Sequence, residues 1–177
     1  MKKQIQIYDA RVYVGTYKKY NEGSLQGQWM DLSDFTDVNE FYNACKQLHA
    51  DEKDPEYMFQ DYENIPENLI GESWISDNIF EIIQALSELG EQQEAFLIWC
   101  NNGHHEISGH DIDELVSSFQ NDYIGTYESD EDFARELIEE REDLSEFAKR
   151  YFDYEAYARD LFCGDYWSDG GYVFYNS

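Results

Sequence analysis

At 177 residues, with 39 Asp and Glu against 12 Lys and Arg, the chain carries a formal charge of −27, which excludes surfaces that bind DNA, RNA or anionic membranes through Lys and Arg. It is nevertheless 42% hydrophobic and 17% aromatic with two prolines, whereas acidic chains that stay disordered lack such residues, so it is expected to fold as one or two domains or as a string of small modules. No stretch approaches the roughly 18 uninterrupted apolar residues of a membrane span, and no apolar core of a signal peptide follows Met1, Lys2 and Lys3, so a cytoplasmic, soluble protein is expected.

The first segment alternates like a strand through Ile5, Ile7, Val12, Tyr13 and Val14 and meets a polar turn at Tyr20, Asn21, Glu22 and Gly23. A second strand reads through Gln28, Trp29, Met30, Asp31 and Leu32. Asp37 can cap a helix whose apolar positions Val38, Phe41, Tyr42, Cys45 and Leu48 step by three and four, and residues 56–62 return to strand chemistry. These elements predict a small α+β module.

Past Pro66 the period becomes helical. Ile79, Ile82, Ile83 and Leu86 share one face of a helix, with Asp77, Glu81 and Glu88 opposite and Gly90 as its stop. A further helix is predicted over 91–100, a turn at Asn101, Asn102 and Gly103, and an amphipathic helix over 111–119 with Ile112, Leu115, Val116 and Phe119 inward and Asp113 and Glu114 outward. A strand at 123–127 leads to a helix capped by Ser129, whose first turn holds Asp130, Glu131 and Asp132, where acids suit the helix dipole. There Phe133, Leu137 and Ile138 face inward, and Asp132, Glu136 and Glu139 outward. A last helix carries Tyr154, Tyr157, Ala158 and Leu161, and a strand at 172–175 follows the Gly170-Gly171 turn. The expected class is α+β, in three small domains at 1–69, 70–119 and 120–177: a mixed N-terminal module, a helical acidic middle module and a mixed C-terminal module.

Chemical motifs are scarce. Cys45, Cys100 and Cys163 are odd in number and form no CxxC pair, so they read as reduced thiols. His104, His105 and His110 stand near Glu106 and Asp111, but their spacing matches no zinc pattern and reads as a polar loop around Gly103 and Gly109. No EF-hand loop, phosphate-binding glycine loop or nucleophile motif is present, so neither metal nor cofactor is expected. A glycosidase needs only two suitably spaced carboxylates, but nothing in the sequence singles out such a pair.

The charge, in contrast, is organised. Residues 54–134 hold 20 acids and no Lys or Arg, supplying −20 of the total. Like charges on neighbouring helix positions cost a few tenths of a kcal/mol each, so a stretch this one-sided points to a working surface with a basic partner. A halophilic surface would spread its acids over the whole chain, whereas here the bases collect towards both ends. Duplex DNA carries one phosphate charge per about 1.7 Å, so these carboxylates correspond to roughly 34 Å of duplex, on the order of 10 base pairs. A convex acidic helix bundle could stand in for a DNA backbone in a Lys- and Arg-lined groove. An acidic interaction module or chaperone for another basic, nucleic-acid-binding protein would use the same field, and remains the alternative. The acids assigned to the phosphate-mimicking surface are Glu67, Glu72, Asp77, Glu81, Glu88, Glu91, Glu94, Asp111, Asp113, Glu114, Asp122, Glu128, Asp130, Glu131, Asp132, Glu136 and Glu139.

Several ordered motifs resemble the ArdA antirestriction family. They are Arg11-Val12-Tyr13-Val14-Gly15, Tyr20-Asn21-Glu22-Gly23, Gly27-Gln28-Trp29-Met30-Asp31, Phe59-Gln60-Asp61-Tyr62-Glu63, Tyr123-Ile124-Gly125-Thr126-Tyr127 with Ser129-Asp130-Glu131-Asp132-Phe133-Ala134, and Asp153-Tyr154-Glu155-Ala156-Tyr157-Ala158-Arg159-Asp160-Leu161. The resemblance covers nearly the whole chain, but the His-bearing loop at 103–109 has no counterpart in it. It implies a non-enzymatic, elongated, homodimeric DNA mimic that occupies the DNA groove of type I restriction-modification enzymes, both the methyltransferase core and the full complex, and so protects mobile DNA entering a bacterial cell. It places the family's short antirestriction motif at 126–140 and makes Tyr172, Val173, Phe174 and Tyr175 candidate dimer contacts.

Overall fold

The computed structural model describes residues 7–103 and 105–176; the expectations for Ile5 and His104 lie outside them. The fold is mixed α/β, with two three-stranded antiparallel sheets, and it divides into two compact units that meet in sequence between Val116 and Ser117. The expected boundary between 69 and 70 lies inside the first unit.

In the first unit β1 (Arg11–Thr16) is the central strand, flanked by β2 (Gln28–Asp31) and β3 (Tyr57–Glu63). The β1–β3 register slips between Tyr13 and Val14, and Val12, Val14 and Phe59 are buried. Between β1 and β2 runs a one-turn helix, α1 (Tyr17–Asn21), capped by Thr16, so Tyr20 and Asn21 are helical and the chain turns at Glu22 and Gly23. Ile7 belongs to a 3-10 turn (Ile7–Asp9) rather than a strand, and is buried as a core contact.

The helix α2 (Val38–Leu48) begins where Asp37 accepts a hydrogen bond from the Glu40 N–H, and it lays Phe41 and Cys45 into the core. Phe41 has no exposed surface and its ring neighbours those of Phe35, Tyr42, Phe59 and Phe80. Phe80 sits on α3 (Ile79–Leu89), so this cluster joins sheet and helices in one core. Gly90, with φ 55°, closes α3 in a conformation that L side chains rarely adopt. The next helix, α4 (Gln93–Asn102), runs through Asn101 and Asn102, which the sequence placed in a turn, and buries Phe96, Trp99 and Cys100. The helix α5 (Ile112–Asp122) gives Ile112 and Leu115 to the first core and Phe119 to the second.

The second unit is built on the sheet order β4-β6-β5, with β4 (Tyr123–Thr126), β5 (Tyr166–Asp169) and β6 (Tyr172–Tyr175). Gly170 and Gly171, at φ 60° and 88°, make the β5–β6 hairpin. Three helices complete it: α6 (Asp130–Glu139), α7 (Glu146–Arg150) and α8 (Tyr154–Leu161). Phe133 is the centre of its aromatic core, edge-on to Tyr127, Phe162 and Tyr166.

Candidate functional site

Glu81, Glu88, Asp113 and Glu114 lie on the exposed sides of their helices, whereas Asp77, which periodicity put on the outer face of α3, stands in the turn that precedes it. On α3 the apolar face is buried and Glu81 and Glu88 are exposed on the opposite side, two turns apart, roughly 10 Å along the axis. Asp111, at the start of α5, accepts hydrogen bonds from the Asp113 and Glu114 N–H groups at 2.9 and 3.3 Å, which leaves those two carboxylates outward in the first turn. Ser129 caps α6 in the same way, accepting from the Asp132 N–H, and Asp130 and Asp132 are exposed. Glu94, Asp122 and Glu131 are half-buried; Glu67, Glu72, Asp77, Glu91, Glu128, Glu136, Glu139 and the others named are exposed.

The ion pairs explain the local field. Arg11 pairs with Glu63 at 2.8 Å, Lys19 with Asp51 at 2.9 Å, Arg141 with Asp143 at 2.6 Å and Lys149 with Glu146 at 3.8 Å, so these cations are engaged by acids outside the candidate set. Glu131 is the exception, held by Arg135 at 2.8 Å. Among the described residues Glu67, Asp77, Glu81, Glu91, Asp113 and Glu114 form no ion pair with Lys, Arg or His. Other acids have neutral partners: Glu88 accepts from Gln84, Asp130 from Ser168 and Glu136 from Tyr127. Burial, then the Glu136 carboxylate, pushes the Tyr127 phenol up to about 12, so it stays a donor to Glu136 throughout the neutral range.

Of the candidate dimer residues, Val173 and Phe174 are 1% and 0% exposed within the second unit's own core. Tyr172 is half-buried and Tyr175 is exposed. The described part of the histidine loop is structural: the His105 ring stacks on Trp99 at 3.7 Å, and His110 Nδ1 lies 2.9 Å from the Glu106 carbonyl. No group of three or more His, Cys, Asp or Glu among the described residues is placed to hold a metal ion, and no helix among them is long and apolar enough to cross a membrane.

The family model for antirestriction protein (ArdA) matches residues 12–174, spanning both sheets and the whole acidic stretch. The chain belongs to the ArdA antirestriction family. No curated protein matches it individually. Membership makes this an antirestriction protein, in a family of inhibitors rather than enzymes.

Sequence reasoning missed the buried polar group that anchors α1. Lys19 Nζ lies 3.0 Å from His49 Nδ1 and donates to Asp51, and Thr16 donates to Glu52 at 2.7 Å. With Nδ1 facing an ammonium, His49 takes the Nε2–H tautomer, which donates to the Val14 carbonyl at 3.3 Å. A lysine between two short elements gives no periodic signal, so only the folded geometry reveals it.

Proposed function

We propose that this ArdA-family chain acts as a DNA mimic that occupies the DNA-binding groove of type I restriction-modification enzymes, both the methyltransferase core and the full complex. The observation that carries this reading is the set of exposed carboxylates that make no ion pair among the described residues, on Glu67, Asp77, Glu81, Glu91, Asp113 and Glu114, within a stretch that contains no Lys or Arg. A groove lined by Lys and Arg meets phosphates in its normal substrate, and such carboxylates offer it the same sign of charge without sequence information. The chain does this by binding alone, with no catalysis and no cofactor.

The full reading is a cytoplasmic, elongated homodimer of three small modules per chain, the first two sharing the core around Phe41, with 126–140 as the antirestriction motif. It joins copies through the C-terminal segment, where Tyr172 and Tyr175 are the accessible side chains. The direct test is competition: purified type I methyltransferase core is loaded with labelled duplex DNA and titrated with the chain. Displacement of DNA supports the mimic, whereas a ternary complex with DNA still bound refutes it. Solution scattering and sedimentation test the long dimer, and a compact monomer near 21.0 kDa would refute that part.

A further inference from the structure

Within the Lys- and Arg-free stretch of the first unit, one tryptophan is exposed. Trp74 is 48% exposed. The remaining tryptophans are engaged: Trp99 is buried, Trp167 stacks on Phe174 at 4.2 Å, and Trp29 lies under the Arg11 guanidinium at 4.6 Å. Trp74 is also fixed in place. Ile70 and Ile75, both buried, bridge the base of a tight hairpin, the Gly71 N–H donates to the Trp74 carbonyl at 2.8 Å, and the Phe59 N–H ties the hairpin to β3 through the Glu72 carbonyl at 2.7 Å. The indole lies over Gly71 so closely that a Cβ there would collide with its nitrogen.

The segment that carries this ring is acidic. Glu72 shares the hairpin, Asp77 follows it, and both are exposed. The Tyr17 phenol lies beside Glu72 and Glu56, and desolvation followed by those carboxylates raises it above its ordinary value. An indole face attracts a cation through its quadrupole, and neighbouring carboxylates accept the hydrogen bonds of a guanidinium or ammonium. Dispersed charge speeds encounter, whereas residence time depends on a few well-placed aromatic or arginine anchors.

We propose that Trp74 is the anchor of the acidic surface, an indole on which an arginine or lysine of the partner's DNA-binding groove stacks while Glu72 and its neighbours accept that cation's hydrogen bonds. This rests on the functional reading above. The experiment measures association and dissociation of wild type, Trp74→Ala, Trp74→Phe and Gly71→Ala on immobilised type I methyltransferase core, with thermal melts confirming that each variant is folded. Trp74→Ala is expected to dissociate about tenfold faster or more, as expected of a hot-spot truncation, with the association rate and its salt dependence within about twofold of wild type. Trp74→Phe falls between, and Gly71→Ala, which keeps the indole but displaces it, shifts in the same direction. Wild-type dissociation rates in a folded Trp74→Ala protein overturn the anchor and leave the mimic standing; failure of the wild type to bind the core sinks both. Should Trp74→Ala not fold, an unchanged rate in Trp74→Phe together with Gly71→Ala overturns the anchor equally.

Discussion

Amide substitution of the acids that have no ionic partner separates located charge from total charge. Glu67, Glu81, Glu91, Asp113 and Glu114 are exposed and make no ion pair among the described residues, so changing all five to Gln or Asn removes five charges with little structural consequence. Asp132 and Glu136 are poorer choices, because Ser129 and Tyr127 donate hydrogen bonds to their carboxylates. Exposed charge pairs contribute about 0.2–1 kcal/mol each, so the set should weaken binding to the methyltransferase core by about 1–5 kcal/mol, roughly five-fold to a few thousand-fold in Kd. Most of the loss should appear in the association rate, measured by stopped flow between 50 and 500 mM salt, because rim charges act through steering over a Debye length of about 10 Å at 0.1 M. The salt dependence should flatten accordingly. A control variant with Asp31, Asp34, Glu142, Glu155 and Asp160 changed to amides has the same net charge, and all five of these residues are exposed. Equal slowing in both variants, or an unchanged association rate in the first, refutes the argument that position along the 54–134 stretch matters.

Three further perturbations test the framework. Phe41→Ala removes the ring at the centre of the first unit's aromatic cluster and should cost about 3–5 kcal/mol in urea unfolding, with β1–β3 and α3 lost together; a transition that spares α3 contradicts a shared core. Lys19→Met leaves the Glu52 carboxylate and the His49 acceptor without their cation and should destabilise by about 1–3 kcal/mol. The Lys19 hydrogen bond holds Asp51 below its ordinary value, a contribution present above the unfolded aspartate range near 3.9 and lost as pH falls through the lower folded value; wild type should therefore lose more stability than Lys19→Met on acidification, and parallel pH profiles would refute the linkage. Burial pushes the Cys45 and Cys100 thiols up to about 12, whereas Cys163 is exposed, so a thiol reagent at neutral pH should label Cys163 alone in the native protein and all three after denaturation.

The elements that were legible in the sequence are those with both a period and a cap. α2, α3, α5, α6 and α8 each present an apolar stripe, and Asp37, Ser129 and Gly90 mark their ends with the local chemistry expected of them. Helices α1 and α7 have five residues each, too few for a period to show, and their existence depends on packing. β5 was missed although the Gly170-Gly171 hairpin needs a strand on both sides, because Tyr166 and Trp167 follow Cys163 and Gly164 without clear alternation. Ile7 read as strand because its apolar character was right and its partner was wrong: burial is satisfied in a 3-10 turn as well as in a sheet. The exposure of Glu81, Glu88, Asp113 and Glu114 was readable because helix periodicity alone decides which side of α3 and α5 faces water. Trp74 was not, since its exposure depends on the bridge between Ile70 and Ile75 and on the absence of a side chain at Gly71.

The same field acts on the fold with the opposite sign. Twenty acids without a base in 81 residues repel one another in the native state, and the unfolded chain relieves that repulsion by expanding. Screening therefore favours the compact form, so the free chain should melt at higher temperature as salt rises from 50 to 500 mM, while its complex with a basic groove loosens over the same interval. Ion pairs such as Arg11–Glu63 and Arg141–Asp143 weaken with salt, but exposed pairs are worth little, and among the described residues they are outnumbered by acids that make no ion pair. The amide variant with five fewer charges should be more stable than wild type at low salt and should gain less from added salt, even as it binds more weakly. A melting temperature that falls with salt in the free chain would mean that the carboxylates are held by attractive local contacts, and the surface would then no longer be an unsatisfied field available to a partner.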